Sequence, residues 1–130
     1  MQLEKSSNLR ALIVDDSDSI LKLMSHALRS ALGIEVIGSA NNGAEAVAKT
    51  NDLRPGVVIM DVEMPVMNGL EATRRIKQAH PSIIVLLVSG TENLLTDSIS
   101  AGADGYITKP FSTNSLIRRV KGNFETNDTQ

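Results

Sequence analysis

A chain of 130 residues, 42% hydrophobic and 22% charged, is long enough to bury one ordinary domain and too short for two. A formal net charge of -2 and 2% aromatics leave neither the electrostatic pull nor the stacking surface of a nucleic-acid module, and the lack of cysteine excludes disulfides, thiolate catalysis and Cys-ligated zinc. The longest aliphatic run, Ile83 to Val88, is too short to span a bilayer, and the polar opening lacks the apolar core of a signal peptide, so no membrane contact and a cytoplasmic location are expected.

Residues 1–8 read as a disordered N-terminus and 9–122 as the folded domain. Ala11-Leu12-Ile13-Val14 has strand character and stops abruptly at Asp15-Asp16. From Ser17 to Leu32, Ile20, Leu21, Met24, Ala27, Leu28, Ala31 and Leu32 recur at helical spacing, and Gly33 stands where a C′ glycine would end that helix. Ile34 to Ala40 is β-rich. Ala44 to Leu53 predicts a helix, stopped by Arg54-Pro55-Gly56.

The pattern then repeats. Val57 to Met60 predicts a buried strand ending at Asp61, Leu70 to Ala79 a helix, and Ile83 to Val88 a strand ending at Ser89-Gly90. Asn93 to Ala101 follows as a helix, Tyr106 to Thr108 as a short strand, and Thr113 to Lys121 as a last helix. A polar tail, 123–130, closes the chain.

Five β-then-α units with apolar central strands predict an α/β fold, a doubly wound parallel sheet covered on both faces. Right-handed crossovers favour strand order 2-1-3-4-5, the flavodoxin-like three-layer sandwich. Ligands in such sheets sit beyond the carboxyl ends of the strands, near the switch point between the first and third. The residues in those slots are Asp15 and Asp16, Asp61, Ser89 and Lys109. Crowded carboxylates repel one another, which raises their pKa values or recruits a cation. Oxygen ligands without His or Cys suit Mg²⁺, Mn²⁺ or Ca²⁺.

Each of these residues has a plain structural use when taken singly. Asp15-Asp16-Ser17 can cap a helix, Asp61 can start a turn, Ser89 is ordinary beside Gly90, and Lys109 can be a solvated surface cation. Their coincidence at one predicted rim is what a purely structural account does not require.

The chain also resembles the receiver domain of the two-component response-regulator family, from about Leu9 to Lys121. The resemblance rests on Leu12-Ile13-Val14-Asp15-Asp16-Ser17, Met60-Asp61-Val62-Glu63-Met64-Pro65-Val66-Met67-Asn68-Gly69, Val88-Ser89-Gly90, Gly102-Ala103-Asp104-Gly105-Tyr106 and Lys109-Pro110-Phe111. It implies that Asp61 is the phosphoacceptor, that Asp16, Asp61 and the backbone carbonyl of Glu63 ligate Mg²⁺ (or Mn²⁺), and that Asp15 acts through water. It further implies that Ser89 and Lys109 contact the phosphoryl oxygens, that Tyr106 is a switch aromatic, and that the bond before Pro110 is cis. Glu63 and Thr91 match positions associated in the family with phosphoryl lifetime. The implied partners are a sensor histidine kinase or phosphotransfer protein and a downstream protein or effector domain, with phosphorylation-dependent homodimerisation as a further option. Such a domain is a switch in a phosphorelay and not a turnover enzyme.

The chemistry is consistent with this resemblance. A carboxylate is a workable nucleophile toward phosphorus, a divalent cation offsets the charge of incoming phosphate, and lysine brings a compact positive charge. Moving a two-state element from 1:99 to 99:1 needs about 5.5 kcal/mol. Hydrogen bonds to charged groups contribute about 1.5–3 kcal/mol each, so the Ser89 and Lys109 contacts would supply most of it. The output face would run from Asn93 to Lys121. Arg118, Arg119 and Lys121 there also have a helix-dipole explanation.

Two other readings compete. Asp16-Ser17-Asp18-Ser19-Ile20 after an apolar strand resembles the Asp-x-Asp motif of haloacid-dehalogenase-type phosphatases, which would make Asp16 the nucleophile and leave Asp61 unexplained. A receiver-like module that binds without phosphorylation is the second. A flavin or Gly-x4-Gly-Lys nucleotide site finds no matching loop. His26 and His80 read as ordinary surface or helix residues.

Overall fold

The structure, a computed structural model, describes residues 8–90 and 95–122. Five strands, β1 (Leu9–Val14), β2 (Ile34–Ala40), β3 (Val57–Asp61), β4 (Ile84–Ser89) and β5 (Gly105–Thr108), form one parallel sheet in the order β2-β1-β3-β4-β5. The helices between and after them are α1 (Asp18–Arg29), α2 (Gly43–Leu53), α3 (Gly69–Ala79), α4 (Leu95–Ala101) and α5 (Thr113–Val120). The α/β class and strand order expected from the alternating pattern are both present.

Strand alternation divides the core in two, because successive side chains point to opposite faces. Ala11, Ile13, Val57, Ile59, Leu86 and Val88 face Met24, Ala27 and Leu28 of α1 and Leu116 and Val120 of α5. Leu12, Val14, Val58, Met60, Val85 and Leu87 face Ala46 of α2 and Ala72 and Ile76 of α3. Both faces of the central strands are therefore buried, which is why those strands read as unbroken apolar runs. Truncating a fully buried residue such as Leu12 or Leu28 to Ala would cost about 2–5 kcal/mol.

Local chemistry sets the boundaries. Ser17, Asn42, Asn68 and Ser112 cap α1, α2, α3 and α5, each accepting a backbone N–H three residues on. The first helix is shorter than its apolar spacing predicts. It is capped at Ser30, so Gly33, with φ 88°, belongs to the turn into β2 and is not a C′ residue. Leu32, counted with the helical apolar set, lies beyond the helix and is 86% exposed. The second helix stops at Arg54, whose φ of 48° is left-handed. Arg10 holds that stop by donating to the carbonyls of Leu53 and Arg54 at 2.9 and 2.7 Å. The predicted start of the fourth helix at Asn93, and the tail 123–130, lie outside the described residues. Among the described residues no helix is long and apolar enough to cross a membrane.

Candidate functional site: an acidic cluster faced by a lysine

The sheet brings the predicted rim residues together at its carboxyl end. Asp15 follows β1 and is buried. Its N–H donates to Ala40 O at 3.1 Å, and its Oδ1 accepts the N–H of Ser17 at 2.9 Å. That short side-chain turn hands the chain to α1, where Ser17 Oγ accepts the N–H of Ile20 at 3.2 Å. Asp15 and Ser17 thus do have a structural use, but it occupies only one carboxylate oxygen. Asp15 Oδ2 is buried without a hydrogen-bond partner, 3.7 Å from Lys109 Nζ, too far for a hydrogen bond. Asp16 is exposed beside it.

Asp61 is the last residue of β3, paired with Val88, and 5% exposed. The chain turns back immediately: Val62 N–H donates to Val88 O at 3.0 Å, and Gly69 N–H donates to Val62 O at 2.8 Å. A side chain at Gly69 would put its Cβ 2.3 Å from Asp61 O, so only glycine allows α3 to begin this close to the strand end. Gly43 makes the same allowance on the other side, where a Cβ would meet Met67 O at 2.3 Å. Between them, Met67 N–H donates to Pro65 O at 2.7 Å across Val66, whose φ of 69° makes this a tight turn that β-branched residues rarely adopt.

Lys109 enters from β5. Its N–H donates to Ser89 O at 2.8 Å, continuing the β4–β5 ladder, and its Nζ donates to Asp61 Oδ1 at 3.3 Å. The Lys109–Pro110 peptide bond is cis. Ser89 ends β4 and is buried, one position past the partner of Asp61 in the β3–β4 register. Glu63 is exposed two residues beyond Asp61. Tyr106 is half-buried on β5 opposite Leu87, packed against the core on the α2 and α3 side. Thr91 lies outside the described residues.

Asp15, Asp16 and Asp61 each offer a carboxylate oxygen, and these oxygens lie within 4.8 Å of one another. Burial pushes the Asp61 carboxyl above its ordinary value. The charge of Asp15 adds to this and that of Asp16 adds further, against the opposing pull of Lys109. Like charges this close favour a bound cation. An all-oxygen set with one buried oxygen lacking any hydrogen-bond donor fits a hard divalent ion, so Mg²⁺ or Mn²⁺ suits the residues present.

Two structural supports escaped the reading of the sequence. Asn68 caps α3 by accepting the N–H of Glu71 at 3.0 Å, which the Asn-x-x-Glu spacing from Asn68 to Glu71 signals. Lys77 and Asp104 pair at 2.8 Å although 27 positions apart, and no local pattern announces that contact.

A family model described as the response regulator receiver domain matches residues 11–121. The chain is 38% identical over 115 residues to the response regulator GacA of Pseudomonas protegens, covering 87% of this chain and 54% of GacA, so it spans about half the length of that relative. It is 39% identical over 113 residues to the chemotaxis protein CheY of Thermotoga maritima, covering 85% of this chain and 93% of CheY. Among solved structures, the CheX-CheY-BeF3-Mg complex of Borrelia burgdorferi aligns with a TM-score of 0.82 and 30% identity, over 91% of this chain and 90% of that one. The matched span takes in the acidic cluster, Ser89 and Lys109 together with every strand but the start of β1, and the chain belongs to the response regulator receiver domain family.

Proposed function

We propose that Asp61 accepts a phosphoryl group from a histidine kinase or phosphotransfer protein and that the modified domain passes the signal on by binding another protein. The observation that carries this reading is a buried aspartate at a strand end, hydrogen-bonded by Lys109 at 3.3 Å and crowded by two further carboxylates. An ionised Asp61 oxygen attacks phosphorus; a P–O bond forms as the bond to the donor's nitrogen breaks, and the electron pair leaves with the donor. Asp16, Asp61 and the Glu63 carbonyl would hold Mg²⁺ or Mn²⁺, with Asp15 acting through water. A bound divalent ion supplies charge neutralisation for the incoming phosphate.

Lys109 keeps a positive charge against the phosphoryl oxygens, and Ser89 adds a hydroxyl from the end of β4. Once formed, the acyl phosphate brings further negative charge and new acceptor oxygens to the rim. Ser89 is drawn toward them, and the half-buried ring of Tyr106 turns inward in response. The domain, residues 9–122, acts as a switch and not as a turnover enzyme. The Borrelia burgdorferi CheY crystallised with CheX, BeF3 and Mg²⁺ supports a protein partner and a divalent cation. A hollow of about 370 Å³ lined by Ile20, Leu23, Lys109, Pro110 and Phe111 adjoins the cluster, an apolar seat for the phosphodonor.

Incubating the wild type and Asp61→Asn with acetyl phosphate, with and without Mg²⁺, and weighing both intact tests the reading. One Mg²⁺-dependent adduct on the wild type alone is expected. No adduct on either would return the domain to a non-phosphorylated binding role, and an adduct that survives Asp61→Asn but needs Asp16 would point to the phosphatase-type chemistry.

A further inference from the structure

We propose that Lys77 and Asp104, at the opposite end of the sheet from the acidic cluster, lock the register of β5 and so position Lys109 beside Asp61. The positioning role rests on the reading of Asp61 as the phosphoacceptor; the register lock does not.

The strand that carries Lys109 is poorly specified by its own sequence. It lies at the sheet edge, is four residues long, and buries only Ile107 fully. Register is weakly held in such a strand, and a slip of one residue moves every group along it by about 3.3 Å and reverses its faces. Lys109 would then leave Asp61.

Asp104 removes that freedom. One step before the first ladder pair, Leu86 with Gly105, its N–H donates to Val85 O at 2.9 Å while its Oδ2 accepts the N–H of Val85 at 2.8 Å. A single residue thus satisfies both backbone groups of Val85, the carboxylate oxygen standing where a strand carbonyl would otherwise be needed. The same Oδ2 accepts from Lys77 Nζ at 2.8 Å. Lys77 Nζ also donates to Pro81 O at 3.0 Å and Ile83 O at 2.8 Å, so its three donors are all used. The side chains are 18% and 29% exposed. This is a pinned junction of α3, the α3–β4 turn, β4 and the entry to β5, unlike a solvated surface pair of little consequence. From there the ladder runs unbroken through Leu87–Tyr106, Val88–Ile107 and Ser89–Thr108 to the Lys109 N–H on Ser89 O.

The test uses the full chain, labelled with ¹⁵N, as wild type, Asp104→Ala, Asp104→Asn and Lys77→Met. Amide exchange is followed at every strand, and the rate of labelling by acetyl phosphate is measured at saturating Mg²⁺, with Lys109→Met and its double variant with Asp104→Ala alongside. In Asp104→Ala, protection of the Ile107 and Lys109 amides is expected to fall well below that of β1 and β3, and labelling to slow on the order of tenfold. The double variant is expected to label no more slowly than Lys109→Met alone. Asn keeps an acceptor for Val85, so Asp104→Asn should restore most protection and most of the rate. Should Asp104→Ala fail to fold, Lys77→Met gives the same readouts with smaller changes. Uniform loss of protection across all five strands, or multiplicative slowing in the double variant, would overturn the proposal. If the wild type itself takes no label, the phosphoacceptor reading fails, and the exchange pattern alone decides whether the clamp exists.

Discussion

Lys109 and Asp61 lie 48 positions apart in the chain, yet Lys109 Nζ donates to Asp61 Oδ1 at 3.3 Å from a strand two places away in the sheet. The lysine only partly offsets the burial and crowding of Asp61. The carboxyl stays above its ordinary value, so the folded protein holds an aspartate that ionises against its surroundings. Functional sites commonly carry such a cost in stability.

Asp61→Asn is therefore expected to be more stable than the wild type near neutral pH, by about 1–2 kcal/mol. The folded Asp61 carboxyl titrates above the value near 3.8 that it has when unfolded, so the native state binds the proton more tightly. Its contribution to stability is complete below the unfolded value and is lost as pH rises through the raised folded one. The advantage of asparagine should accordingly appear at about pH 7 and shrink to a small remainder at about pH 3, where the unfolded aspartate is mostly neutral as well. Urea unfolding of both proteins at the two pH values measures it; an equal or lower stability for Asp61→Asn at neutral pH would contradict the account.

Gly69→Ala should be costly and should disturb the site. The new Cβ would lie 2.3 Å from Asp61 O and 3.0 Å from Val62 Cα, both backbone atoms that cannot rotate away. A loss of about 2–3 kcal/mol is expected by denaturant unfolding, with slower labelling of Asp61. Gly90→Ala, where a Cβ meets nothing within 4 Å, is the control and should leave packing untouched.

Thr50→Val should stabilise the domain. Thr50 is fully buried in α2, and its Oγ1 has no hydrogen-bond partner. Replacing that hydroxyl by a methyl of similar size removes the cost of burying an unpaired polar group, about 1 kcal/mol, and leaves the acidic cluster alone. A thermal melt paired with the acetyl phosphate assay checks both halves; a fall in Tm would show that the hydroxyl is satisfied after all.

The sequence showed the sheet clearly because its strands are buried on both faces: Val57 to Met60 and Ile84 to Val88 have no polar residue to confuse the pattern. The site was legible for the same reason, since Asp15, Asp61 and Ser89 each interrupt such a run at its carboxyl end, where α/β sheets bind ligands. Helix ends were harder to place. Ala31 and Leu32 continue the apolar spacing of α1, but Ser30 Oγ donates to Ala27 O at 2.7 Å and the chain leaves the helix there. Contacts between distant segments were not legible at all. Nothing near Lys77 or Asp104 in the chain marks them as partners, and Gly43 gives no hint that Met67 O lies against it.

The most direct measurement of the central claim is to label the protein with acetyl phosphate and Mg²⁺, reduce it at once with borohydride, and sequence the peptides by mass spectrometry. Borohydride converts an aspartyl phosphate to homoserine and leaves free carboxylates unchanged. The account predicts homoserine at position 61 and at no other aspartate. Homoserine at Asp16, or none anywhere despite a wild-type fold, would contradict it.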